Sequence, residues 1–187
     1  IVTVKTPATA EMAELIARYA PSSAPVVSWQ NGRENIRTLR AALPGRDVRA
    51  GMVPFNVVPT DPGSFHRATS GEIVIESGAG ALGQKLSSPK LPVVESDQIE
   101  AVQWGKLLIN LNNALNALSG LTLKDQLLDR EWRKLMADQM AEAHAVLKSA
   151  GLSVASPTPL PAWMTPFILR LPTPPLSRIA ARLLTID

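Results

Sequence analysis

The 187-residue sequence contains no cysteine. A disulfide scaffold, a cysteine nucleophile and a thiolate metal site are therefore excluded. Histidine is scarce too, with only His66 and His144. A histidine-based metal centre would need carboxylates for most of its ligands, and the expectation is no metal. Aromatic residues make up 4% of the chain, and no run of Lys or Arg exceeds two residues. The net charge is only +3, and all of that excess lies beyond residue 100. Without a basic face or interleaved aromatics, nucleic acid is not an expected partner. Long hydrophobic runs are also missing. The longest uncharged stretches are 107–123, which holds four asparagines, and 149–169, which holds four prolines. Neither supplies the roughly 20 apolar residues of a transmembrane helix. No signal peptide opens the chain, so a cytoplasmic protein away from the membrane is expected.

What is present is ordinary for a folded globular protein, with 45% hydrophobic and 19% charged residues. A chain of this length buries a core without covalent staples. It begins at Ile1, and Ile-Val-Thr-Val already reads as a buried strand with no lead-in. The expectation is a chain cut into an existing fold.

Residues 1–5 read as a strand and 6–9 as a turn and cap. An amphipathic helix follows from Glu11 to Tyr19, with Met12, Leu15, Ile16 and Tyr19 on its apolar stripe. Residues 26–29 form the next strand, Gln30-Asn31-Gly32 a turn, and 35–43 a second helix. A third strand runs over 48–58, bent at Pro54. This alternation predicts an α/β sheet with parallel strands and right-handed crossovers. Residues 65–69 and 72–76 then read as an antiparallel hairpin across Ser70-Gly71.

From Asp97 the chain reads as helix, and the predicted domains are 1–96 and 97–187, the second all-α. Asp97 and Glu100 stand at capping-box spacing. Trp104, Leu107, Leu108, Leu111, Leu115 and Leu118 form one apolar stripe. A second long helix is expected over 129–150, with Trp132, Leu135, Met136, Met140, Ala143 and Leu147 inward and Gly151 as its C-terminal cap. Seven prolines between 157 and 175 predict an extended connector anchored by Trp163 and Phe167. A last helix begins at Ile179.

Gly78-Ala-Gly-Ala-Leu-Gly83 matches the glycine pattern of a dinucleotide loop, with Glu95 and Asp97 at ribose-binding distance in sequence. The helix after it is too short to cradle pyrophosphate, and the favoured reading is a flexible connector. His144 reads as a packing or surface residue. His66, beside Arg67, has no chemical partner in the pattern.

The segment 104–119 is more informative. Asparagine costs a helix interior about half a kcal/mol against alanine, yet four occur within seven positions, 110–116. Lys106, Asn110 and Asn113 fall within roughly 60° of one another on a helical projection. One cation with two amides suits an anionic substrate bearing a carbonyl, with the ammonium as proton donor. A solvated polar face fits the same spacing.

Trp104 followed by Lys106-Leu-Leu-Ile-Asn110 resembles the substrate helix of ketopantoate reductases (2-dehydropantoate 2-reductases). Val4-Lys5-Thr6 resembles that family's strand-end lysine, and Gln30-Asn31-Gly32 its turn beside the nicotinamide. The resemblance implies a partial α/β Rossmann-type domain followed by an all-α C-terminal domain, and NADP(H)-dependent reduction of a small-molecule 2-oxo acid to a 2-hydroxy acid, in most members 2-dehydropantoate to pantoate in coenzyme A biosynthesis. It implies Lys106 as catalytic proton donor, Asn110 as a substrate amide, Asn31 at both cofactor and substrate, and Lys5 at the cofactor. The family's second helix asparagine aligns with Ala114, so Asn113 is the residue expected to substitute. A further family asparagine aligns near Lys124, and this extra cation points to another carboxylate-bearing substrate. The family's N-terminal glycine-rich loop and C-terminal region have no counterpart in the sequence. Two alternatives stay open: a non-catalytic, dimerising remnant, and a reductase acting on a different 2-oxo acid or an imine. By analogy with paired helical domains, a homodimer is expected.

Overall fold

A computed structural model describes residues 1–156 and 161–174. It divides into two compact units, Ile1–Ile99 and Glu100–Asp187. The first is a mixed sheet with helices, the second is helical.

In the first unit the opening residues make a single parallel bridge, Val2 to Ser28, rather than a strand over 1–5. Val2 N–H donates to Val27 O at 2.8 Å and Val2 O accepts from Trp29 N–H at 2.9 Å. Pairing stops there because the Val4 carbonyl accepts from the Gln30 side chain, not from a neighbouring strand. A 3-10 turn at Thr6–Ala8 leads into α1 (Thr9–Tyr19). This helix buries Thr9 and Ala13, while Leu15 and Tyr19 of the expected stripe are 43% and 68% exposed. Then come β1 (Val26–Ser28), α2 (Glu34–Ala42) and β2 (Val48–Met52). β1 and β2 pair in parallel, and every residue of both is buried.

The expected strand over 48–58 is two elements. β2 ends at Met52, and β3 (Val57–Asp61) starts a separate ribbon with β4 (Ser64–Arg67). Pro62-Gly63 closes that ribbon, with Gly63 at φ +80°, a backbone state other residues reach at a cost. The expected hairpin across Ser70-Gly71 does not form. β5 (Ile73–Glu76) instead pairs antiparallel with β2 and parallel with β6 (Val93–Ser96). Burial explains the choice. Ile73 and Ile75 are 1% and 0% exposed between those strands, against Val27 and Val93. The exposed ribbon would have left both in water. The sheet order is β1-β2-β5-β6, so the sheet is mixed. A short helix, α3 (Leu82–Leu86), connects β5 to β6.

The helical unit is built from α4 (Ile99–Asn110), α5 (Asn112–Ser119), α6 (Leu123–Leu128), α7 (Arg130–Ser149) and α8 (Thr165–Leu169). The expected single helix through 104–118 is broken at Leu111. Leu108 and Leu115 of its stripe are buried, but Leu107 and Leu118 are 41% and 79% exposed. Leu108 packs with Ala137, Met140, Leu147 and Leu169 in the core, and Trp104 and Leu111 lean on it. Asp129 caps α7 by accepting from the Glu131 and Trp132 amides. Gly151, at φ +69°, ends it, and Leu152 N–H reaches back to Leu147 O at 2.9 Å as a Schellman cap requires. The buried face of α7 is Arg133, Ala137, Met140 and Leu147, so Leu135 of the expected stripe is exposed.

The proline-rich segment is not wholly extended. α8 forms within it because Pro166 sits in the first turn, where its missing N–H has no helical partner to lose. Pro166 and Leu169 are buried, whereas the expected anchors Trp163 and Phe167 are 57% and 65% exposed, stacked edge to face. The helix expected from Ile179 lies outside the described residues.

Candidate active site

Val2 and Ser28 run in parallel, so the loops after them, 4–6 and 30–32, leave the sheet at the same edge. That edge is the carboxyl end of the strands, where open α/β sheets take their ligands. Lys5 and Asn31 occupy these loops, and both are exposed. Gln30, immediately before Asn31, is only 8% exposed, although the sequence pattern marks it only as part of a turn. Its side-chain N–H groups donate to Val4 O and Thr9 Oγ1, both at 2.8 Å. No local pattern discloses this role, because the partners are 26 and 21 positions away.

The glycine run 78–83 does other work. Arg49 is 2% exposed and donates to Asp47 and to Ala79 O. The bond to Asp47 holds the arginine further up and the Asp47 carboxyl below its ordinary value. A Cβ on Gly78 would stand 2.6 Å from Arg49 Cζ. Gly83 N–H donates to Glu95 Oε1 at 2.7 Å, and a Cβ there would stand 2.8 Å from Glu95 Cγ. The amide that a dinucleotide loop would offer to phosphate is thus taken by a carboxylate of β6. The loop is a latch on Arg49 and Glu95, ordered by specific contacts rather than a loose connector.

In the helical unit, Lys106 and Asn110 stand one turn apart on α4, each half-buried. Burial pushes the Lys106 ammonium below its ordinary pKa. Asn113, the second residue of α5, is exposed, as are Ala114 and Lys124. Asn112, not singled out by its sequence position, is the buried amide. It exchanges two hydrogen bonds with Gln126 of α6, at 3.3 and 3.0 Å. Asn116 donates to Leu121 O at 3.1 Å and closes the α5–α6 turn. Two of the four asparagines are therefore accounted for by folding. α6 itself escaped the sequence reading, although Thr122 and Asp125 carry its cap, with Asp125 N–H donating to Thr122 Oγ1. His144 is half-buried on α7, and His66 is exposed on β4. Among the described residues, no group of three or more His, Asp or Glu side chains could hold a metal ion. Among the same residues no helix is long and apolar enough to cross a membrane.

Residues 1–84 match the family model described as ketopantoate reductase PanE/ApbA, and residues 98–173 match ketopantoate reductase PanE/ApbA C terminal. The chain belongs to the ketopantoate reductase family. A PanE/ApbA family ketopantoate reductase from Ralstonia eutropha is 29% identical, with a TM-score of 0.74 over 97% of this chain and 57% of its own. This ketopantoate reductase family chain therefore spans little more than half the length of that relative. A dimeric ketopantoate reductase from Staphylococcus aureus shares the fold at 18% identity and a TM-score of 0.67, over 96% of this chain and 68% of its own. D-mandelate dehydrogenase, solved with NADH, shares it at 17% identity and a TM-score of 0.72, over 89% of this chain and 57% of its own. No functionally curated protein sequence matches.

Proposed function

We propose that this protein carries out NAD(P)H-dependent reduction of a 2-oxo acid to a 2-hydroxy acid, with NADPH the preferred cofactor and 2-dehydropantoate the foremost substrate. The observation that carries the reading is Lys106, a half-buried cation of lowered pKa, one helical turn before the Asn110 amide. A lysine so tuned gives up a proton more readily than a solvated one. Its charge also offsets the negative charge that grows on the keto oxygen.

The strand-end edge of the first unit fits a nicotinamide dinucleotide. It offers an exposed cation at Lys5 and an exposed amide at Asn31 on adjacent loops. When bound, such a cofactor supplies the hydride. Lys5 would hold its phosphate or ribose oxygens, and Asn31 would orient its amide and the substrate. Asn110 would donate to the substrate carboxylate or carbonyl, with Asn113 as a second, outer amide. Lys106 would protonate the new hydroxyl oxygen. The action is cytoplasmic, and the working form is a homodimer, as for the S. aureus relative.

The test is NADPH oxidation by the complete gene product with a panel of 2-oxo acids, comparing wild type with Lys106→Ala. Turnover with 2-dehydropantoate that falls at least about 100-fold in the variant is expected for a lost general acid. Turnover that survives the substitution rejects Lys106 as the proton donor. Faster turnover with an aryl 2-oxo acid would move the substrate assignment but not the reaction.

A further inference from the structure

Four polar side chains are buried together in the first unit: Thr9 at 2%, Ser28 at 3%, Gln30 at 8% and Asn35 at 2% exposure. They form one chain of hydrogen bonds. Ser28 Oγ donates to Gln30 Oε1 at 2.9 Å. Gln30 Nε2 donates one hydrogen to Val4 O and the other to Thr9 Oγ1. Thr9 Oγ1 passes its own hydrogen to Asn35 Oδ1 at 2.9 Å. Asn35 Nδ2 donates to Thr6 Oγ1 at 3.2 Å and to Asn31 O at 2.8 Å.

Every amide hydrogen of Gln30 and Asn35 is used, and each amide oxygen accepts one bond. The direction is forced. Turning over the Gln30 amide would set its oxygen against Val4 O, and turning over Asn35 would do the same at Asn31 O. Such a network holds one arrangement, whereas an apolar core of the same volume tolerates several. What it holds is specific. Val4 O and Thr6 Oγ1 flank Lys5 on both sides, and Asn31 O is the third anchor. The network grips backbone and a neighbouring hydroxyl, and the Lys5 and Asn31 side chains remain exposed.

We infer that Thr9, Gln30 and Asn35 are positioning residues that fix the spacing of Lys5 and Asn31 and thereby set affinity for the nicotinamide cofactor. This rests on the cofactor reading above. Thr9 is the hinge of the network, since its hydroxyl both accepts from Gln30 and donates to Asn35. Thr9→Val keeps the shape and removes both bonds, and Thr9→Ser keeps both.

The experiment measures NADPH binding to the complete gene product by cofactor fluorescence, together with amide hydrogen exchange and thermal midpoint. Thr9→Val is expected to weaken NADPH binding about tenfold, the effect of roughly 1.4 kcal/mol. Exchange should quicken at 4–6 and 31–33 and stay unchanged in β2. Thr9→Ser should restore both. Ala13→Gly, a buried change one turn along the same helix, controls for general destabilisation. Unchanged NADPH affinity in Thr9→Val, or equal weakening by Ala13→Gly, overturns the positioning role. Wild type that binds no NADPH rejects the cofactor reading itself, and the inference falls with it. The exchange pattern is read without cofactor, so the two failures are told apart.

Discussion

Asn112 and Gln126 face each other across the α5–α6 turn and exchange both amide hydrogen bonds while 6% and 1% exposed. Neither can reach water instead. Asn112→Ala should therefore strand the Gln126 amide and cost about 1–3 kcal/mol. The double change to leucine at both positions should cost less than the sum of the two single leucine changes. Urea denaturation of the four proteins gives the coupling directly.

Arg133 is the tie of the helical unit. It is 1% exposed, and its guanidinium donates to the carbonyls of Leu127 and Leu128 at the end of α6 and to Leu169 and Leu171 around the end of α8. Burial, then the nearby Arg130 charge, lowers its pKa, and the carbonyls at two helix ends compensate the cation. Arg133→Met leaves those acceptors without their donor and should lower stability by about 3 kcal/mol or more. Arg133→Lys keeps the charge but not the planar fork, and should recover only part of the loss. Urea midpoints rank the three.

Lys106 makes two pH predictions. Between its lowered folded pKa and the ordinary 10.5, the unfolded chain binds the extra proton. Stability should therefore rise with pH through that window, and Lys106→Met should flatten the rise. Reductase activity should move the other way, falling as pH climbs through the lowered pKa and the donor loses its proton. Lys106→Arg should push that alkaline limb upward in a pH–rate profile. A limb left in place would assign it to another group.

Gly78→Ala puts a methyl carbon 2.6 Å from Arg49 Cζ, against a buried side chain held by Asp47 and Ala79 O. The overpacking should cost about 1–3 kcal/mol. NADPH affinity should be unchanged, because the glycine run is a structural latch and not a phosphate loop. Calorimetry and a binding titration separate the two effects, and a large loss of affinity at full stability would restore the loop as a cofactor element.

The sequence alone carried the strand–helix alternation of 26–52, the helical character beyond residue 97 and the Schellman end at Gly151, because each is written in local periodicity or local turn chemistry. It also isolated Lys106 and Asn110, whose i to i+4 spacing is local too. The strand pairing of 57–76 was not legible. Pro62-Gly63 and Ser70-Gly71 are both plausible turns, and only the burial of Ile73 and Ile75 beside Val27 and Val93 chooses between them. The same limit hid Arg133, Gln30 and the Asn112–Gln126 pair. A polar residue inside an apolar pattern reads as surface until its partners are known, and each of these has a partner far along the chain: Gln30 to Thr9 spans 21 positions, Asn112 to Gln126 spans 14 and Arg133 to Leu171 spans 38. Sequence decides what each short segment prefers to be. Tertiary structure decides which polar groups lose water together, and burial without a hydrogen-bond partner is costly enough to make that choice specific.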